Sequence, residues 1–326
     1  MWHGLGDVHD GYPADWDEAR EWAGLQWEPM LVPSFGFDGV DAEGNPVHDP
    51  ALAAAGDYVA DAKTQRVVRS DTGAWLANVS DQYQTIGNGE MGEIVMAVLE
   101  QDNVNWETGV VLQGGRSVAV VARLDEPVTL PGDNGPTMPF ATVLNRHDGA
   151  GACRLQSTSI KVVCMNTFRA SELEGDRNGN VFSFYHLGKK VSWRDRLDEA
   201  REAISGVRKD FADYCELATD LLGIKVTAKQ RELFVVEFIP EPIGQVKSDR
   251  VMANVEKARQ AVRDILASKT TEGIEGTAYG LVQAAGEYLD HNRRSINRET
   301  YFTRTLLKPE PLKARAMALV RELVKA

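Results

Sequence analysis

Val110-Val111-Leu112-Gln113-Gly114-Gly115-Arg116-Ser117-Val118-Ala119-Val120-Val121 is the stretch on which the fold turns. Two apolar, largely β-branched runs flank an adjacent glycine pair, and glycines adopt the positive φ that a tight reversal needs. The stretch predicts a β-hairpin. Downstream, Pro131, Gly132, Gly135, Pro136 and Pro139 supply another turn. Phe140 to Leu144 and Ser157 to Cys164 extend the hairpin into an antiparallel or mixed sheet. The second of these runs passes into Met165-Asn166-Thr167-Phe168-Arg169-Ala170, which predicts a helix start.

Upstream of the hairpin, Met91, Ile94, Val95, Val98 and Leu99 recur at spacings of three and four, so Asn88 to Glu100 is expected to be helical. Short strands are expected at Tyr58 to Ala60, Arg66 to Arg69 and Trp75 to Val79. Residues 34–56 are rich in Gly, Pro and Asp and predict a loop. A short helix is expected around Asp15 to Trp22, with acids in its first turn.

From Ser192 onward the periodicity is helical. Candidate helices are Ser192 to Leu222, Thr227 to Phe238, Ser248 to Ser268, Glu275 to Asn292, Asn297 to Leu306 and Glu310 to Val324, with Thr227 and Ser248 as N-caps. The last places Leu312, Ala316, Leu319, Val320 and Leu323 on one side and predicts Lys313, Arg321 and Lys325 on a basic outer face. The fold expected is therefore α+β. A core domain over 1–191, opening with an acidic segment over 1–62, precedes an all-helical domain over 192–326.

The 326 residues are 43% hydrophobic and 26% charged, a globular composition that excludes a wholly disordered or collagen-like chain. No apolar run, Val118 to Ala122 included, approaches the roughly 20 residues of a membrane-spanning helix. No secretory signal is visible at Met1-Trp2-His3-Gly4. Cys153, Cys164 and Cys215 are odd in number and lack CxxC spacing, as suits reduced thiols. A cytoplasmic protein without membrane partners is expected. The net charge of −12 is uneven: residues 1–62 hold 13 acids and one base, Arg20, while the remainder is balanced. Within that remainder, residues 144–196 carry nine bases against five acids, and residues 290–326 nine against four. A net-acidic protein is repelled by nucleic acid at long range, yet local basic faces still take up phosphates.

Catalytic signatures are missing: there is no GxxxxGK[ST], GxSxG, HExxH or dinucleotide-binding glycine fingerprint. No cofactor and no catalytic residue are expected, and a binding protein is favoured over an enzyme. Gly87-Asn88-Gly89-Glu90-Met91-Gly92 is a loop and helix start. Asn145-Arg146-His147-Asp148-Gly149 is the densest polar cluster, placed where a strand should end. His147 and Asp148 form a pair that could ligate a metal or share a proton, but two residues make no metal site, and Asp-Gly is a favoured turn. Cys164, among Val162, Val163 and Met165, is expected to be buried and unreactive. Bases interleave with aromatics further on. Arg146, Arg154, Lys161, Arg169, Lys189, Lys190 and Arg194 would contact phosphates, and Tyr185 and Trp193 would meet bases.

Several stretches resemble a known family in a recognisable order. These are Trp2-His3-Gly4-Leu5-Gly6, Tyr83-Gln84, Asn145 to Gly149, Ile160 to Thr167, Gly276-Thr277-Ala278-Tyr279-Gly280 and Glu287-Tyr288-Leu289-Asp290-His291. The whole resembles the phage/plasmid-like protein family built on domain of unknown function 932. That resemblance implies a role in mobile-element biology. A more distant likeness, at the level of fold, is to phage single-strand annealing proteins of the RecT, Erf and Red-beta kind, which assemble into rings or filaments. Three readings follow. The leading one is a non-enzymatic, oligomeric protein that binds or anneals single-stranded DNA during recombination. The others are a structural or host-interaction protein of a mobile element, and a metal-dependent nuclease or hydrolase using His147 and Asp148.

Overall fold

The computed structural model describes residues 9–99, 104–124, 126–161, 166–168, 182–186, 193–242, 248–297, 300, 301, 304 and 310–325. Among these are two antiparallel sheets and seven α-helices.

The first sheet follows α1 (Trp16–Trp22), a helix capped by the Asp15 side chain. It contains β1 (Pro29–Val40), β2 (Pro46–Val47), β3 (Ala55–Arg69) and β4 (Trp75–Ser80) in the order β2-β1-β3-β4. The loop expected over 34–56 is thus overturned at 34–40, 46–47 and 55–56, and holds over 41–45 and 48–54. Gly39 and Gly56 pair across β1 and β3, and the Phe37 ring lies so close that a Cβ on either glycine would sit within 2.6 Å of it. The prolines Pro29 and Pro33 lie in β1, an edge strand over that stretch, where a missing N–H breaks no ladder.

The second sheet follows α2 (Asn88–Leu99), whose Met91, Ile94, Val95, Val98 and Leu99 are all buried as their spacing predicts. Its strands are β5 (Trp106–Leu112), β6 (Ser117–Arg123), β7 (Thr137–Arg146), β8 (Cys153–Lys161), β9 (Asn166–Phe168) and β10 (Phe182–Phe184). They run in the order β10-β8-β7-β6-β5, with β9 folded back on β8. Asn166–Phe168 therefore continues the sheet rather than starting a helix. The β5–β6 hairpin closes through three positive-φ residues, Gln113 (52°), Gly114 (67°) and Gly115 (108°). Gly115 is needed twice, because a Cβ there would also lie 2.8 Å from the Trp27 ring.

Alternate residues of β6 point to opposite faces. Val118, Val120 and Ala122 join a core that gathers Trp16, Trp27, the α2 residues, Leu155 and Trp193, whereas Ala119 and Val121 join Leu112, Phe140 and Leu144 on the other face. Burial on both faces is why this strand reads as an unbroken apolar run rather than an alternating one.

The helical part comprises α3 (Leu197–Gly223), α4 (Ala228–Phe238), α5 (Asp249–Leu266), α6 (Ala278–Glu287) and α7 (Pro311–Leu323). Thr227 and Ser248 cap α4 and α5, the former through a full capping box with Gln230. Thr277 caps α6, and Gly280 is forced by the Ile274 carbonyl oxygen, 2.1 Å from where a Cβ would be. Together these helices enclose a second core from Phe211 to Val320 that also takes in Leu130. At the end of α6 the chain makes a π turn over Tyr288–Asn292. It carries Asp290, which receives Lys313 Nζ at 2.9 Å; these side chains are 2% and 1% exposed respectively. Lys313 is not on the outer basic face. It lies with Ala316, Met317 and Val320 on the buried side of α7. Among the described residues no helix is long and apolar enough to cross a membrane.

Candidate functional site

β7 ends in Asn145-Arg146-His147-Asp148-Gly149, directly against the start of α2. The Asn145 amide donates to the Ile86 carbonyl (2.9 Å), and the His147 N–H donates to the Arg116 carbonyl (2.9 Å), which anchors both ends of the turn. The His147 ring is buried with its edge against Trp27. Asn88 Nδ2 donates to the Trp27 carbonyl (2.7 Å), so its Oδ1 is the acceptor for His147 Nε2–H at 2.9 Å. That assignment leaves the lone pair of His147 Nδ1 buried and without a partner. Burial, reinforced by His186 and opposed by Asp148, pushes the His147 imidazole down to about 3, so the ring is neutral at physiological pH.

Charge is confined to the rim of this turn. Arg146 grips Asp148 with two donors, Nε at 2.9 Å and a shorter contact from the terminal nitrogen, and Asp148 also accepts from the Ala150 N–H. Burial alone would raise the Asp148 carboxyl, but the guanidinium and the Ala150 N–H outweigh it and hold it below its ordinary range. Tyr83 OH donates to the Arg146 carbonyl (3.1 Å) and stacks on His186 at 4.9 Å. His186 Nδ1–H donates to the Gln84 carbonyl, leaving Nε2 buried without a partner, and burial lowers this imidazole too. At the same N-terminus of α2, the Glu28 carboxylate accepts from the N–H groups of Asn88 (2.6 Å) and Gly89 (3.0 Å), where the helix dipole favours an anion. Arg20 holds the same carboxylate at 2.6 Å.

Tyr83-Gln84, the start of α2 and Asn145 to Gly149 thus converge on a clasp whose interior is neutral, between a strand end and a helix start, whereas Gly276 to Gly280 and Glu287 to His291 belong to the helical part. His147 Nε2 is committed to Asn88 and Asp148 to Arg146. Among the described residues no group of three or more His, Cys, Asp and Glu side chains is placed to hold a metal ion.

The described residues among those expected to contact DNA lie on several elements. Arg146 is clasped by Asp148. Trp193 is buried, its indole N–H donating to Glu90 (2.7 Å), so its ring packs into the core rather than facing a base. Arg194 lies over that ring at 4.4 Å and reaches Glu93 (2.5 Å) and Glu90 (3.5 Å). Lys161 stands opposite Asn166 at the end of β8. Arg169, Lys189 and Lys190 lie outside the described residues, as do Cys164 and the Trp2 to Gly6 stretch. Two residues do come together. Arg154 pairs with Ser183 across β8 and β10, and Tyr185 follows two residues on, so both sit on the face opposite buried Cys153, Phe184 and His186. Both are exposed, Tyr185 to 69%. The partners that sequence reasoning missed, Asn88, His186 and Glu28, are local to nothing: Asn88 and His147 are 59 residues apart.

The family described as Domain of unknown function (DUF932) matches residues 75–320. The chain belongs to that family. The matched span holds α2, the whole second sheet and the helices to α7, whereas α1, the ribbon of β1 and β3 and the Trp2 to Gly6 stretch precede it. No curated protein and no solved structure matches the chain.

Proposed function

We propose that this chain is a non-enzymatic, oligomeric protein of phage or plasmid origin that binds or anneals single-stranded DNA. The observation that carries this reading is the Arg154–Tyr185 pair on the edge of the second sheet. An exposed cation beside an exposed ring is the minimal unit that takes up a phosphate and stacks on its base. The bases clustered over 144–196 flank that pair in sequence. Six of the thirteen acids of residues 1–62 are gathered on the other sheet's ribbon and tip, away from this edge strand in the topology. The origin rests on the family resemblance of the sequence stretches. The hydrolase reading has nothing comparable, because His147 and Asp148 already have partners.

Fluorescence polarisation with single-stranded and duplex DNA over a salt series tests the proposal. Arg154→Ala should weaken binding to all sequences alike and reduce the salt slope by about 0.7. Tyr185→Ala should cost about 1–3 kcal/mol of affinity and leave the slope nearly unchanged, since stacking releases few counterions. A wild-type chain that fails to bind at micromolar concentration and low salt overturns the proposal.

A further inference from the structure

Beyond an irregularity at Pro33/Ser34, β1 and β3 run on together from Ser34↔Asp61 to Val40↔Ala55, past β4, which reaches only Thr64 to Val68, and the two residues of β2 join them only at Gly39 and Val40. The result is a two-stranded ribbon whose two faces differ. Phe35, Phe37, Tyr58 and Ala60 share one face with Gly39 and Gly56, and that face carries no charge. The other face sets Asp38 opposite Asp57 and Ser34 opposite Asp61. Phe35 is 51% and Tyr58 66% exposed. An isolated two-stranded ribbon is marginal in water, and like charges directly opposed weaken it further. Its composition also selects a partner. Residues 29–62 hold six acids and no Lys or Arg, which repels DNA and anionic lipid despite the aromatic rings.

The complementary surface is on the same chain. α4 and α7 run side by side, tied by Gln230 to the Leu323 carbonyl (3.0 Å) at one end and Arg315 to the Glu237 carbonyl (2.8 Å) at the other. Leu233 lies between these ties and is 45% exposed. On α4, α7 and the residues just after it, Lys229, Arg315, Arg321 and Lys325 are exposed bases, against the exposed acids Glu237 and Glu322 and a Glu232 already held by Arg263, which leaves a net basic surface.

We infer that the ribbon of one copy docks its Phe35–Tyr58 face over Leu233 between α4 and α7 of a second copy. The tip acids Asp41, Glu43 and Asp49 then meet the basic rim. An apolar centre with a charged rim is the ordinary anatomy of a protein interface. The contact joins unlike surfaces, so repetition builds a ring or a filament rather than a closed pair. This inference rests on, and specifies, the oligomeric part of the proposed function.

Sedimentation velocity of the full chain across a micromolar series, at low and moderate salt, tests it. Wild type should self-associate, less so as salt rises. Phe35→Ser with Tyr58→Ser should weaken association by at least about 30-fold, the effect of losing an interface anchor. Arg315→Glu with Arg321→Glu should do likewise, and Leu233→Ser repeats that arm without touching the Arg315 hydrogen bond. Far-ultraviolet circular dichroism and melting of each variant confirm folding. An equal mixture of ribbon and helix-face variants should form heterodimers that grow no further, because each supplies the surface the other lacks. A monomeric wild type, a ribbon variant that assembles normally, helix-face variants that both assemble normally, or a mixture that stays monomeric overturns the inference. Polarisation on the same samples separates the two claims. A wild type that binds DNA as a monomer sinks the docking and leaves DNA binding standing, and assembly through the ribbon without DNA binding does the reverse.

Discussion

Two polar pairs are buried in this molecule, one between a strand end and a helix start and one among the helices, and each joins residues distant in sequence. At the end of β7 the interior keeps neutral groups, the Asn88 amide and the His147 imidazole, and the Arg146–Asp148 charges stay at the rim. Between α7 and the π turn after α6 the interior holds a full ion pair, Lys313 and Asp290. The sheet side can be wired without charge because backbone carbonyls at the strand end and the pre-helix loop lie within reach of the amides. The helical side offers few open backbone groups, so a buried cation there requires a carboxylate. A neutral network fails gradually when one member is lost, whereas an ion pair fails abruptly.

That contrast sets an order of effects. Asp290→Leu leaves an enclosed ammonium without its carboxylate and should destabilise by about 3–5 kcal/mol, read from urea unfolding. Adding Lys313→Met should restore most of the loss, and a single change that costs under about 1 kcal/mol would show that water reaches the pair. Asn88→Ala should cost less, roughly 1–3 kcal/mol, through the stranded His147 donor and Trp27 carbonyl. Acid should distinguish the two sites further. The folded pKa of His147 is depressed to about 3 and that of His186 is also lowered, so the unfolded chain binds more protons below about 6.5. The stabilisation from keeping these rings neutral is complete above that pH and is lost as pH falls from there toward 3. His147→Gln should flatten this part of a stability–pH profile, and an unchanged profile would contradict the burial of the ring. The smallest effect belongs to the ribbon: Phe35→Ala should alter monomer stability by no more than about 0.5 kcal/mol, because the side chain is outside both cores.

The sequence made α2, the glycine hairpin and the caps at Thr227 and Ser248 legible, since each depends on residues within one turn of one another. The ribbon was hidden because its glycines read as loop signals until Gly39 and Gly56 are seen face to face under Phe37. Lys313 was hidden by its residue type. Its spacing to Ala316, Met317 and Val320 is that of a buried face, yet a lysine suggests solvent. The Asn145 to Gly149 cluster stood out for its polarity, but what it grips could not be read locally. Asn88 and His186 reach it through the register of strands and the docking of α2, which no short-range pattern encodes.

Trp193 has a consequence for how the chain is made. It belongs to the same core as Trp16, so that core cannot close until both have left the ribosome. At a synthesis rate of 5–20 residues per second, the wait is roughly 9 to 35 s. The β1–β3 ribbon, whose partners are all local, is free to pair long before then. The first strand pairing able to form on the ribosome is therefore the one that stands apart from the cores, and the first core is completed only as the helical half begins to emerge.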